Sequence, residues 1–315
     1  MRPRSGKKRP SSGQARKSSS RRPPAGVSPD APKGASKGTS KGTSKDASAG
    51  APRPPQGGHF LWGRHAVLAA LANPERRIAA IHASGDSVDL LKNSIAALPA
   101  ARRDALPPVA EIDRRRLDAL HGGDAEKAIH QGMAVAVWPL DAPALEEILA
   151  LHHDRPVRLI CLDQLSDPRN VGAIMRSALA LGAAAIITTN RHAPDETGAL
   201  ARAAAGALEN LPLVRVVNLA RAIEALQNAG ITVAGLAADG TDNVASLADV
   251  PRLAIVMGAE GAGLRHNTRR HCDRLVRIDI ADDSESLNVS IAAAIALYAA
   301  GQMLPDRARN NTSTA

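Results

Sequence analysis

Between residues 156 and 304 of this 315-residue chain, predominantly apolar runs alternate with segments of helical spacing. The runs are Val157–Leu162, Ala184–Thr189, Leu213–Val217, Ile231–Leu236, Leu253–Met257 and Leu275–Ile280. Continuous runs, unlike the polar–apolar alternation of a half-solvated strand, predict a sheet buried on both faces. Helices are predicted at Val171–Leu181, Ala199–Leu208, Leu219–Ala229, Leu264–Cys272 and Ser286–Met303. Gly182 and Gly230 stand where helix C-caps are expected. The class is α/β.

Residues 59–138 read as a smaller α/β unit. Strands are predicted at Arg77–Ala83, Val109–Asp113 and Gln131–Trp138, and helices at His65–Leu71 and Val88–Leu98. Residues 139–155 form a connector with one short helix, Pro143–Leu151, expected to be started by Asp141. Residues 305–315 are polar and expected to fray.

Residues 1–58 are rich in Pro, Gly and Ser and poor in large apolar residues, which predicts a disordered basic arm. The arm holds 14 Lys or Arg against 2 Asp, a net of +12, so the remaining chain sums to −3 of the total +9. Three readings fit it: a solubilising extension, an organellar transit segment, or an RNA-binding arm that acts by counterion release. The last would add affinity without specificity.

Cys161 and Cys272 fit no metal-ligand spacing and are expected to be buried thiols in a reducing compartment, so a cytoplasmic location is expected. No metal is expected, and no run is long and apolar enough to cross a membrane. Four aromatics (Phe60, Trp62, Trp138 and Tyr298) are too few for recognition built on base stacking.

Three blocks carry the chemistry. The first, residues 167–178, follows strand 157–162, and polar groups at such strand ends are where open α/β sheets bind ligands. Asn170 and Arg176 are six residues apart, about 240° on a helix, so Asn170 is expected near the N-cap with Arg176 further in. The second block, residues 256–264, places Gly258, Gly261 and Gly263 in a turn that can approach a ligand closely, with Glu260 as its one charge. It is not the G-x-G-x-x-G dinucleotide fingerprint, which argues against a nucleotide-dependent oxidoreductase. In the third block, Ser286-Leu-Asn-Val-Ser290, Ser286 is expected to cap a helix, and Asn288 and Ser290 place further polar groups at its start.

Taken in order, these blocks resemble motifs one, two and three of the SpoU/TrmH-type RNA ribose methyltransferases, a SPOUT family, over residues 156–304. Residues 61–67 and 130–132 are similar to the ends of the ribosomal-protein-like substrate-binding domain in the branch that methylates a guanosine ribose of 23S (large-subunit) rRNA. The resemblance implies a C-terminal trefoil-knotted methyltransferase domain, a homodimer, S-adenosylmethionine as methyl donor and RNA as partner. It places Asn170, Arg176, Glu260, Ser286 and Asn288 in the active site, and Gly258, Ile278 and Leu287 at the donor. Asp279 and Asp282 stand where the family has Pro and Gly, and two carboxylates there require partners if RNA is to approach. Two other readings are a tRNA guanosine methyltransferase and a non-catalytic ribosome-assembly factor. The front unit argues against the first, and the intact polar positions argue against the second.

Overall fold

The computed structural model describes residues 52–121, 130–191, 193–281 and 283–301. Most of the basic arm, Asp282 and the 305–315 tail lie outside the described residues. In chain order the first elements are β1 (His59–Trp62), α1 (Arg64–Ala72), β2 (Ile78–Ala83), α2 (Ser87–Ala96), α3 (Ala100–Asp104), β3 (Val109–Glu111), α4 (Arg114–Asp118) and β4 (Met133–Val137). They build a four-stranded sheet of order β1-β4-β2-β3, antiparallel except for the β2–β3 pair.

After α5 (Leu145–Leu151) come β5 (Val157–Leu162), α6 (Pro168–Ala180), β6 (Ala185–Thr189), α7 (Gly198–Ala204), β7 (Leu213–Val216), α8 (Leu219–Asn228), β8 (Thr232–Leu236), β9 (Asp242–Asn243), β10 (Arg252–Met257), α9 (His266–His271), β11 (Arg274–Arg277) and α10 (Val289–Ala299). The seven strands form one parallel sheet of order β7-β6-β5-β10-β8-β11-β9.

The continuous apolar runs have a direct physical cause. Successive side chains of a strand point to opposite faces. In β5, Leu159 and Cys161 join a core with Leu145, Ile148, Ile223 and Leu226 of α5 and α8. Ile160 and Leu162 join the other core, with Ile174 of α6, Leu200 of α7 and Leu297 of α10. That second core continues into the front unit through Leu61 of β1, Val67 and Leu71 of α1 and Val135 of β4.

Charged groups also anchor the interior. Arg158 of β5 is buried and donates to Ala300 O at 2.6 Å, a carbonyl at the end of α10, and to Pro251 O at 2.9 Å, just before β10. Arg76 is fully buried and joins the two halves. It pairs with Glu209 at 2.6 Å and with Glu196, and donates to Trp138 O at 2.9 Å.

Several expectations change. β1, β9, α3 and α4 are unpredicted. α5 starts at Leu145 with Ala144 at its N-cap, so Asp141 starts nothing. α6 starts at Pro168 because the Asp167 side chain accepts from Arg169 N at 2.9 Å. α7 stops at Ala204, where Ala205 and Gly206 turn left-handed (φ +48° and +92°). β11 ends at Arg277, and α10 is shorter at both ends than predicted. Gly182 and Gly230 take the left-handed conformations expected of them.

Burial alone raises the Glu196 carboxyl, but the His59 contact and Arg76 more than offset it, so its folded value lies below the ordinary carboxylate range. Its stabilisation is therefore complete at neutral pH and is lost as acidification carries the pH from the ordinary value down through the lowered one. Arg76→Ala leaves Glu209 buried without its cation and is expected to cost about 3–5 kcal/mol of unfolding free energy, measured by urea denaturation.

Candidate active site

Three segments far apart in sequence meet at the C-terminal rim of the parallel sheet. α6 brings Asn170, the turn after β10 brings Glu260, and the segment leading into α10 brings Asn288. Asn170 Nδ2 donates to Glu260 Oε1 at 2.9 Å. Asn288 Nδ2 donates to the same carboxylate oxygen at 3.0 Å and to Asn170 Oδ1 at 3.1 Å. Asn288 Oδ1 in turn accepts from Ser290 N at 2.9 Å and Ser290 Oγ at 2.6 Å.

Asn288 is thus the N-cap of α10, the place expected of Ser286. Ser286 is exposed, and its side chain makes no hydrogen bond among the described residues. Asn170 lies three residues after the Asp167 cap, inside the first turn of α6 rather than at its cap. Both Asn170 and Arg176 are therefore helical and point to different faces. Arg176 is exposed and unpaired among the described residues, and a single chain does not bring it to the Asn170–Glu260–Asn288 cluster.

The turn after β10 is held tightly. Ala259 and Gly263 exchange backbone hydrogen bonds of 3.1 and 2.8 Å. A methyl group at position 258 would lie 2.2 Å from Gly263 C and 2.4 Å from Leu264 N, so only glycine fits. Ile278 and Leu287 are partly buried against the core that α6 and α10 share. Gly258, Ile278 and Leu287 therefore offer backbone groups beside apolar side chains, a donor set that fits a nucleoside held by main-chain contacts.

Two ties that the sequence reading missed fix these loops. Asp163 is fully buried at the end of β5 and accepts from Arg265 Nε at 2.6 Å and Arg265 N at 3.1 Å. A carboxylate closing the apolar stretch Leu159–Leu162 was the available signal. Asp279, the departure from the family pattern, is paired with Arg277 at 2.8 Å and accepts from Asn243 Nδ2 at 2.6 Å. Its charge is therefore matched.

Neither thiol is activated. Burial pushes Cys161 far above the ordinary thiol range. Cys272, only partly buried, is raised to about 12 by burial first and then by Asp273 and Asp163.

Fold and site define a methyltransferase class: the chain belongs to the SpoU rRNA methylase family, whose model matches residues 158–298. A Burkholderia sp. protein named 23S rRNA (guanosine-2'-O-)-methyltransferase RlmB is 46% identical over 189 residues, covering 60% of this chain and 74% of that one. The protein of the same name from Vibrio cholerae serotype O1 is 39% identical over 245 residues, covering 76% of this chain and 95% of that one. Among solved structures, the SpoU methyltransferase AviRb from Streptomyces viridochromogenes in complex with AdoMet superposes with a TM-score of 0.61 at 26% identity, covering 78% of this chain and 89% of that one. An AdoMet-bound rRNA methyltransferase from Sinorhizobium meliloti shares the fold with a TM-score of 0.64 at 23% identity, covering 79% of this chain and 89% of that one.

Asn288→Ala removes the α10 cap and one of the two donors to Glu260. It is expected to cost about 1–2 kcal/mol of stability by thermal or urea unfolding. Gly258→Ala is expected to weaken donor binding more than Asn288→Ala does, read by calorimetric titration with S-adenosylmethionine.

Proposed function

We propose that this chain transfers a methyl group from S-adenosylmethionine to the ribose 2′-hydroxyl of a guanosine in 23S rRNA. The observation that carries the reading is the Asn170–Glu260–Asn288 cluster, assembled from all three motifs. The named activity of relatives matched over nearly their whole length supplies the substrate class.

When bound, the donor supplies an electrophilic methyl on a sulfonium, so the chemistry needs no metal. Gly258, Ile278 and Leu287 hold it, chiefly through backbone groups, and Ser286 and Asn288 fix the adjoining loop. Arg176 binds a substrate phosphate and sets the 2′-oxygen in line with the methyl carbon, and Asn170 orients the ribose. Such positioning can supply roughly 7–11 kcal/mol of the barrier. A guanidinium offers five N–H donors and no acceptor, so Arg176 is unsuited to act as the base. The proton passes to a phosphate oxygen or to water held by Arg176.

The enzyme works as a homodimer. Leu179 of α6 and Ile291, Ile295 and Tyr298 of α10 are exposed, Tyr298 by 67%, on helices that pack against each other. Exposed large apolar side chains on packed helices favour a partner surface. Arg176 lies on the same helix as Leu179, so pairing delivers the arginine of one protomer to the cluster of its partner. Residues 59–138 are the RNA-binding domain, 139–155 the linker and 156–304 the catalytic domain. Insertion of β10 between β5 and β8 supports the trefoil knot that the family resemblance implies. Among the described residues no helix is long and apolar enough to cross a membrane, and a cytoplasmic location fits an rRNA substrate.

The test is incubation with donor carrying a labelled methyl group, separately with unmethylated large-subunit rRNA and with tRNA, followed by nucleoside digestion. Label in 2′-O-methylguanosine from rRNA alone is expected, and label in tRNA alone would overturn the substrate. Arg176→Ala should lower kcat about 10²-fold or more with donor affinity nearly intact. Weakened donor binding instead would refute its role. Tyr298→Glu should shift sedimentation from dimer to monomer and remove activity with it.

A further inference from the structure

The segments 61–67 and 130–132 have no part in the reaction as derived, yet the structure brings them together across 67 residues. Gln131 adopts a left-handed backbone, φ +52°, which a non-glycine side chain seldom takes. Its Oε1 accepts from Arg64 N at 2.8 Å. Behind it, Ser87 Oγ donates to Gln131 O at 3.0 Å, and Ser84 N donates to Gly132 O at 2.8 Å. The Gly63–Arg64 turn is therefore braced from within, while the side chains of Arg64 and His65 are exposed. Strained conformations of this kind persist where the surroundings impose them, and they cluster at ligand sites.

The catalytic half adds a cation to the same place. A methyl group at position 63 would lie 3.6 Å from Cγ of Arg202 in α7. On its other flank α7 packs against α6, where a methyl group at position 172 would lie 2.5 Å from Ala203 Cβ. Position 172 is two residues from Asn170, and exposed Arg169 is its immediate neighbour. Among the described residues Arg64, Arg169 and Arg202 have no side-chain partner, whereas Arg265, Arg269 and Arg277 are tied to carboxylates. Arg202 stands in the last turn of α7, where the helix dipole favours a cation. That accounts for its charge, but not for its approach to Gly63 or for the brace at Gln131.

We propose that Arg64, Arg202 and Arg169 form a phosphate-binding track that carries the RNA backbone from the loop cluster of the front domain, across the α7–α6 contact, to the Asn170 cluster. The proposal rests on the RNA-methyltransferase reading above. It gives Arg64 and Arg202 phosphates several nucleotides away from the reacting ribose. Contacts of this kind set register without reading bases. They also fit a chain body that is near neutral overall, because three unpaired cations concentrate positive charge along one path.

The test uses the full chain as R64Q/R202Q, with R221Q in α8 as a surface-charge control and R64K/R202K as the charge-preserving variant. Methylation of unmethylated large-subunit rRNA is followed at several salt concentrations, alongside calorimetric donor binding and thermal melts. For R64Q/R202Q, KM for rRNA should rise about tenfold, and the dependence of log KM on log salt should flatten by about 1.4, the slope expected for two phosphate contacts to a single strand. Its kcat and donor affinity should stay within about twofold of wild type, as should all values for R221Q. The lysine pair should restore most of the KM. Unchanged KM and salt slope, an equal rise in R221Q, or a lysine pair no better than the glutamine pair would overturn the track. Failure of the wild-type chain to methylate rRNA while it still binds donor would instead defeat the functional reading.

Discussion

A parallel sheet has two apolar faces, and both must be covered by helices of the same chain. Strands β5, β6 and β10 meet this demand by sending alternate residues into two separate cores. Each helix must then return the chain to the starting edge, so every strand ends on the same rim. The loops on that rim cannot be held by hydrophobic burial and are held by polar ties instead. Asp163 anchors Arg265, Asp279 joins Arg277 and Asn243, and Glu260 collects Asn170 and Asn288. The chemistry sits where the packing constraint leaves polar groups in need of one another.

The arginines divide along the same line. Arg76, Arg158 and Arg252 donate to carboxylates or to carbonyls at element ends, and their charge is used to satisfy the fold. Arg64, Arg169, Arg176 and Arg202 are exposed and carry no partner within the described chain. Guanidinium groups suit bidentate contact with phosphate. The total charge, dominated by the arm, conceals this division.

Much of the fold was legible because burial on two faces writes itself into composition: all six predicted strands of the large sheet exist, most within a residue or two at either end. Short elements were harder. β1 has four residues and β9 two, and neither offers enough length for a period to show. α6 starts three residues before the expected Val171, at Asp167-Pro168, and leaves the Asn170 side chain to Glu260 rather than to a cap. α10 starts later than expected: Ser286 matches a cap by type, but Asn288 does the capping. Local chemistry allows either residue, and the neighbouring carboxylate of Glu260 favours the second.

The sequence by itself determined the α/β class and the order of the three polar blocks, and the methyl donor and ribose substrate followed from the family resemblance that those blocks carry. Class and block order are matters of composition and spacing, which need no structure. Only the tertiary structure decided that Asn170, Glu260 and Asn288 share one hydrogen-bonded cluster while Arg176 stands apart from it. It also decided that Asp279 is neutralised and that Gln131 meets Arg64 beside Arg202. Those outcomes depend on which loops the crossover helices bring to a common rim, and a contact such as Asn170–Asn288, between residues 118 positions apart, leaves no period for a sequence to display.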